Sequence, residues 1–533
     1  MISTQTSFEP QAVNDYFMGI TQLPHPSKNQ QDVTGDEDPV RQYVVDEAQK
    51  LSNVEVAFYQ KDAEDAGNRV VILRRKGAGK YAGKTPVILQ AHLDMVYNPA
   101  NMTFPLNVID DTSRQDGKWI KAKSASGVDS TLGADDGLGV ATALAILKDS
   151  RFQDYPIECL FTVQEETDMG GAQNCDLKNL TGDKLLNLDA EDLQVIIFGS
   201  AGGAETNFNK SVSRFTSPTG YVARKISISG LTGGHSGLDI NKCRMNAIKA
   251  MGQILSRLDK RMNNLDIQGE GMQSYDLYIQ DMKRTDILKS NAIPTAAEAI
   301  VIVPGDQAAS FERDVATYWE TLKTQYQPTE NPSKIKCTIE EFTQTVTPLD
   351  NKSTDGLLCL LAQIPSGMIA MIPGVPDVVE TSSNLYNIAL SNDNLLIASS
   401  NRSSNDDALA ALNAVQSNIG KILGCGVETG IDGYVSWQPD YNSQILALTE
   451  GVYNEAYKGD YKSTVIHAGL ECGTLASRFE AEKQIKLDCV SIGPNVKNPH
   501  TGNETMQIES SDGKQTVQEF YNCVCQTISA IFN

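Results

Sequence analysis

The sequence predicts an α/β domain interrupted by an inserted α+β domain, and three changes of pattern along the chain carry that prediction. Short continuous apolar runs, the mark of strands buried on both faces, recur in the first part and alternate with helical segments. From about residue 205 the pattern turns to apolar/polar alternation and amphipathic helices, and past about residue 430 the buried-strand style returns. The implied organisation is a first domain in two parts, 1–204 and 431–533, with 205–430 inserted between them.

Taken in order, "VVIL" (70–73), "PVILQA" (86–91), "IECLFTV" (157–163) and "KLLNL" (184–188) read as buried strands. "DGLGVATALAILKD" is too long for a strand and reads as a buried helix, so the sheet is covered by helices on both faces. In the insert, "RKISISGL" and "YDLYIQDM" alternate as half-exposed strands do. Three helical stripes accompany them: Met245, Ile248, Leu255 and Leu258; Phe311, Val315, Trp319 and Leu322; Leu409, Leu412, Val415, Ile419 and Leu423. "IDGYVSWQPDYNS" reads as a polar connector, "KLDCVSIG" as a returning strand, and a final helix carries Cys523 and Cys525 on one stripe.

At 533 residues the chain suggests roughly two to four domains, so burial does not limit stability. A net charge of -22 opposes nucleic acid and anionic membrane as partners and favours a site that holds cations. No apolar run approaches the ~18 residues that span a bilayer. The N-terminus lacks a basic region followed by an apolar one, and the expected location is cytoplasmic. Ten cysteines without a close-spaced framework read as buried thiols of a reducing compartment.

The residues just beyond each predicted strand carry the chemistry. "PVILQA" delivers His92 and, two residues on, Asp94; "LGADDGLG" sets Asp135 and Asp136 in a Gly-rich turn at a helix start. "IECLFTV" delivers Glu165 and Glu166, "KLLNL" delivers Asp189, and "KLDCVSIG" leads to His500. Ligands of open α/β sheets gather beyond the carboxyl ends of strands, so these residues are expected to converge. Singly, Asp136 is a good helix N-cap, Asp94 a common loop residue and His500 an ordinary surface histidine. Their recurrence at successive strand ends points instead to a divalent metal, and the surplus of carboxylates to two metals sharing a bridging one.

The motifs "QAHLDMV", "LGADDGLGVA", "VQEETDMGGA", "NLDAED", "GGHSG" with "NAIKA", "HAGLECG" and "GPNVKNPHTGNE" resemble those of the M20 metallopeptidases, most of all the aminoacyl-histidine dipeptidase group. The resemblance implies a zinc-peptidase-like catalytic domain with a mixed sheet, and an inserted lid and dimerisation domain. It implies two Zn2+, with Co2+ or Mn2+ as substitutes. Asp135 bridges them; His92 and Asp189 complete one site, Glu166 and His500 the other. Asp94 orients His92, Glu165 is the general base, and the Asp135–Asp136 peptide is cis.

By the same resemblance His235 reaches the active site of a partner subunit and polarises the scissile carbonyl, which implies a homodimer through the insert. Arg402 is the candidate for the substrate's terminal carboxylate, Asn246 for a hydrogen bond to substrate, and Glu471 for a free amino group, with His467 assisting. Cys472 reads as a buried thiol. The implied activity is hydrolysis of dipeptides, Xaa-His among them; the alternatives are an N-acyl-amino-acid deacylase or tripeptidase, and a catalytically silent metal-binding dimer. Two departures from the family pattern, "PHTGNE" and Gln30 in "PSKNQQ", touch no implied ligand. Extra length is expected in loops such as 101–130.

Overall fold

The structure is a computed structural model that describes residues 6–27, 38–96, 103–262, 272–375, 377–391 and 393–533. Gln30 and residues 101 and 102 lie outside the described residues. By contacts the chain forms two units: 1–200 with 437–465 and 470–533, and 201–436 with 466–469. The divisions fall at 200 and 436, beside the 204 and 430 read from the change of pattern, and the short piece carrying His467 packs with the second unit.

The first unit is built on an eight-stranded mixed sheet in the order Glu55–Phe58, Val71–Arg75, Ile157–Thr162, Val87–His92, Lys184–Asn187, Asp488–Ser491, Val195–Ser200, Lys462–Ile466. Its four central neighbours, from Ile157–Thr162 to Asp488–Ser491, run parallel. Ile157–Thr162 and Val87–His92 are buried at every position, which is why they read as unbroken apolar runs. Helix Ala134–Lys148 covers the sheet with nearly all its residues buried. A smaller sheet pairs Val496–Lys497, Thr505–Ser510, Gly117–Lys123 and Asn107–Asp111 in that order. The last helix, Thr516–Phe532, buries both Cys523 and Cys525.

The second unit holds two antiparallel sheets. One runs Gly367–Met371, Val379–Ser391, Asn394–Ser403, Gly202–Ser211, Gly426–Tyr434, and the other Tyr278–Arg284, Ala297–Pro304, Tyr221–Ser229, Lys336–Phe342. Helices Ala247–Leu258, Ala308–Gln325 and Asn351–Gln363 pack an apolar core that includes Ile248, Leu255, Phe311, Val315, Trp319 and Leu361. Residues 431–434 of the expected connector finish a strand.

One stripe differs from its reading. In helix Asp406–Ile422 the buried face is Leu409, Leu412, Gln416 and Gly420, while Val415 is half exposed. The reason is chemical: Gln416 accepts from Asn401 Nδ2 (3.0 Å) and Ser399 Oγ (2.8 Å) and donates to Asn401 Oδ1 (2.9 Å) and Ser383 Oγ (3.1 Å). A glutamine with every polar atom paired is as acceptable inside as an aliphatic chain, and a hydrophobicity pattern does not see it.

Candidate active site

The parallel centre of the first sheet sends four chain segments out at one edge. Val87–His92 ends on His92 itself, Ile157–Thr162 is followed by Glu165 and Glu166, Lys184–Asn187 by Asp189, and Asp488–Ser491 by the segment that carries His500. Their side chains meet around Asp135. One oxygen of Asp135 lies 3.0 Å from His92 Nε2 and the other 3.0 Å from His500 Nε2. A further carboxylate stands beside each imidazole, Asp189 at 3.4 Å from His92 Nε2 and Glu166 at 2.9 Å from His500 Nε2. His92, Asp135 and Glu166 each offer a ligand atom within 4.8 Å of the others, and so do His92, Asp136 and Asp189. Asp136 is otherwise engaged, accepting from the backbone N–H of His92 (3.2 Å) and of Gly139 (3.2 Å). The peptide bond between Asp135 and Asp136 is cis.

Asp94 meets His92 through both its carbonyl and its carboxylate. His92 Nδ1 donates to the backbone carbonyl of Asp94 at 2.9 Å, while the Asp94 carboxylate is 3.7 Å away. That contact leaves Nε2 as the ring atom turned toward Asp135. The carboxylate also accepts the backbone N–H of Glu165 and of Glu166, each at 3.2 Å, and the Ser27 hydroxyl at 2.7 Å. Gln164, in the left-handed region at φ 60°, starts the single helical turn Glu165–Asp168 that these bonds hold.

Burial and mutual repulsion of the carboxylates set the electrostatics. Burial, followed by the charge of Asp135, pushes Glu166 up to about 7; burial, against His92, takes Asp189 up to about 6. Glu165 is driven well above the usual carboxylate range by burial, with Asp189, Glu166 and Glu471 adding to it. Asp135 is the exception: burial opposes its charge, but hydrogen bonds from His500 and His92 hold it well below the ordinary value. Burial would lower both imidazoles, yet the carboxylates around them raise His92 well above its ordinary value and His500 to about 12. So dense a group of buried anions with two imidazoles fits the donor set of borderline divalent metals, whose charge would balance it.

Glu471 is fully buried in the same unit. Its Oε2 accepts from Gln90 Nε2 and Thr162 Oγ1, both at 2.6 Å, and Gln90 is itself fixed by Asn187 Nδ2 (2.6 Å). Its Oε1 is buried without a partner among the described residues. Burial takes this carboxyl up to about 8. Cys472 is a buried free thiol.

The remaining candidates belong to the second unit. His235 Nδ1 accepts the backbone N–H of Gly237 (3.1 Å) and Leu238 (3.0 Å), which assigns the ring proton to Nε2. Arg402 donates through Nη1 to Tyr434 Oη at 2.6 Å, and its Nε is buried without a partner among the described residues. His467 Nε2 lies 2.7 Å from Ser382 Oγ, and burial, helped by Arg402 and His235, takes its pKa down to about 3. Asn246 caps helix Ala247–Leu258, accepting from Ile248 and Lys249 N–H at 3.0 and 3.2 Å and donating to the Leu385 carbonyl at 2.9 Å. Both polar atoms of its amide are thus used within the fold.

Sequence reading missed Ser27 and Glu504. Glu504 stands in "TGNET" with no periodicity to mark it, yet it is fully buried and accepts four backbone N–H groups. Its one mark in the sequence is its place four residues after the candidate ligand His500.

A metal-type donor cluster at the carboxyl edge of the parallel centre of a mixed sheet defines the class, a metal-dependent hydrolase, and the comparisons agree. The chain belongs to the M20 metallopeptidases, within the aminoacyl-histidine dipeptidase group, and is a hydrolase of the dipeptidase class. It is 31% identical over 514 residues to the cytosol non-specific dipeptidase of Escherichia coli (strain K12), covering 96% of each chain. Residues 226–330 match the model of the peptidase dimerisation domain. The crystal structure of aminoacylhistidine dipeptidase from Vibrio alginolyticus superposes with a TM-score of 0.77 at 28% identity, over 99% of this chain and 98% of that one. Aminopeptidase PepT from Bacillus cereus shares the fold at a TM-score of 0.51 and 13% identity, over 99% and 100% of the two chains.

Proposed function

We propose that the protein is a di-zinc dipeptidase, acting on dipeptides of the Xaa-His type and others, with Glu165 as general base. The observation that carries the reading is Asp135, whose two oxygens face two different histidines, each 3.0 Å away and each with its own second carboxylate. A carboxylate so placed suits a bridge, with His92 and Asp189 on one side and Glu166 and His500 on the other. The pair of ions, when bound, supplies Lewis acidity that lowers the pKa of water toward ~7 and stabilises charge on oxygen.

The chain's own residues do the rest. Glu165 takes a proton from the attacking water and returns it to the leaving nitrogen. Asp94 keeps Glu165 and Glu166 in register by holding both backbone N–H groups, so the neighbours can take separate tasks. His235 suits an electrophile: with Nδ1 accepting two N–H groups, the neutral ring presents Nε2–H, the donor a developing oxyanion needs. Following the family pattern, His235 acts in the partner subunit of a homodimer, and the match to the peptidase dimerisation domain supports that assembly. Arg402, with its unpaired Nε, is read as the anchor of the substrate carboxylate, and Glu471, with its unpaired Oε1, as the acceptor for the free amino group. Asn246 is read as a hydrogen-bond partner of the substrate, and His467 as assisting Glu471. The name of the Escherichia coli relative supports a cytoplasmic location.

The test is metal analysis joined to a panel of free and N-acetylated substrates, including dipeptides with β-alanine first and histidine last. Two zinc ions per chain and faster release of histidine from free dipeptides are expected. Faster release of acetate from N-acetyl amino acids would replace this reading with a deacylase.

A further inference from the structure

We infer that Glu504 is a positioning residue for the metal pair, because its carboxylate fixes the backbone that presents Asp135; the inference rests on the metal reading above. Oε2 accepts the N–H of Leu132 (2.9 Å) and Gly133 (3.0 Å), and Oε1 that of Ala134 (2.8 Å) and Asp135 (3.2 Å). Four consecutive amides turned toward one point form an anion-holding nest. Gly133 makes the nest possible at φ 71°, where a Cβ would also stand 3.1 Å from His25 Nε2 and from the Met95 methyl.

Glu504 is more than a helix cap because of where it comes from. It lies four residues after His500 in a segment closed on itself, with Thr501 Oγ1 donating to the Asn498 carbonyl (2.8 Å) and Glu504 N–H to the Thr501 carbonyl (3.1 Å). One segment therefore holds Asp135 twice, its backbone N–H through Glu504 and its carboxylate through His500 at 3.0 Å. Loss of the Glu504 grip would free the Asp135 backbone, and with it the aim of the Asp135 carboxylate, while removing no candidate ligand. Metal ions held by Asp135 together with His92, Asp189, Glu166 and His500 would then be bound more weakly. An amide at this position keeps one oxygen for four N–H donors and turns an NH2 against the rest.

A structural control exists in the same unit. Glu158, also fully buried, accepts the N–H of Thr181 (2.8 Å) and Gly182 (2.9 Å) and the Thr181 hydroxyl (2.8 Å), at the opposite end of the strands from the ligands. Zinc affinity of the full chain, read by competition with a chromophoric chelator, separates the two roles. Glu504→Gln is expected to bind zinc about tenfold or more weakly, the usual loss for a residue that supports a ligand, whereas Glu158→Gln keeps wild-type affinity though its melting temperature falls. Folded Glu504→Gln with wild-type zinc affinity would overturn the inference, and so would an equal loss in Glu158→Gln. If Glu504→Gln does not fold, Glu504→Asp, one methylene short of the nest, is read by the same criterion. Wild-type protein that takes up no zinc in this titration would sink the metal reading itself, a result distinct from equal binding by wild type and variant.

Discussion

The two units arrange their buried acids differently. In the first, acidic side chains are driven into the interior and held there by backbone amides: Asp94 by those of Glu165 and Glu166, Glu504 by four in a row, Asp136 by those of His92 and Gly139. In the second, the buried acids stand apart, with Asp259, Asp314 and Glu330 each held by backbone N–H in a different place, and an uncharged network joins Gln416, Asn401 and Ser399. Buried carboxylates are costly unless hydrogen-bonded or paired with positive charge. The first unit therefore has the character of a preorganised cation site, whereas the second gathers no comparable group of metal-type donors among its described residues. The largest tests of this contrast change one unit and ask what the other loses.

Glu165→Gln should produce the largest effect, a fall in kcat of about 10^3-fold, within the ordinary range for a general base. Its metal content should match that of wild type, since Glu165 is not among the ligands proposed. Normal hydrolysis by this variant would remove the mechanism. Next comes His235→Ala in the second unit, with an expected loss of about 10^2-fold in kcat, the scale of one oxyanion donor, and full metal occupancy. Mixing it with Glu165→Gln under conditions of subunit exchange should restore activity if His235 serves the partner's site. Proven exchange without recovery would assign His235 to its own subunit.

The contrast also explains what was legible in the sequence. His92, Glu165, Glu166 and Asp189 sit immediately after unbroken apolar runs, and those runs are strands buried at nearly every position, so the ends were visible and the residues beyond them could be read together. Glu504 was not visible, because its partners at 132–135 are some 370 residues away and are backbone groups, which carry no sequence signature. Asp94 was noticed for its spacing from His92, and its carboxylate also serves the Glu165 turn while its carbonyl serves the imidazole. Gln416 escaped because hydrogen bonding, not hydrophobicity, licenses its burial.

A smaller effect separates substrate binding from chemistry. Arg402→Met should raise KM about tenfold to a hundredfold for substrates with a free carboxylate, and leave substrates amidated at that end little changed. The loss follows from removing a charge-assisted pair. Equal losses for both substrates would mean that Arg402 supports the strand through Tyr434 and does not touch the ligand.

The smallest test compares the units as pH sensors. Each contains one buried histidine held neutral: His25 in the first, lowered by burial to about 4, and His467 in the second, lowered to about 3. Between these values and the ordinary 6.5 the unfolded chain binds a proton that the folded chain does not. Stability from each group is therefore undiminished above pH ~6.5 and falls on acidification, by at most about 1.4 kcal/mol per pH unit for each group. His467→Asn removes this slope from the second unit and leaves that of His25. Denaturant midpoints measured from pH 7 to pH 5 should fall less steeply in the variant than in wild type. Parallel curves would mean that His467 is protonated in the folded protein at the same pH as in the unfolded chain, and the Ser382–His467 contact would then hold an imidazolium.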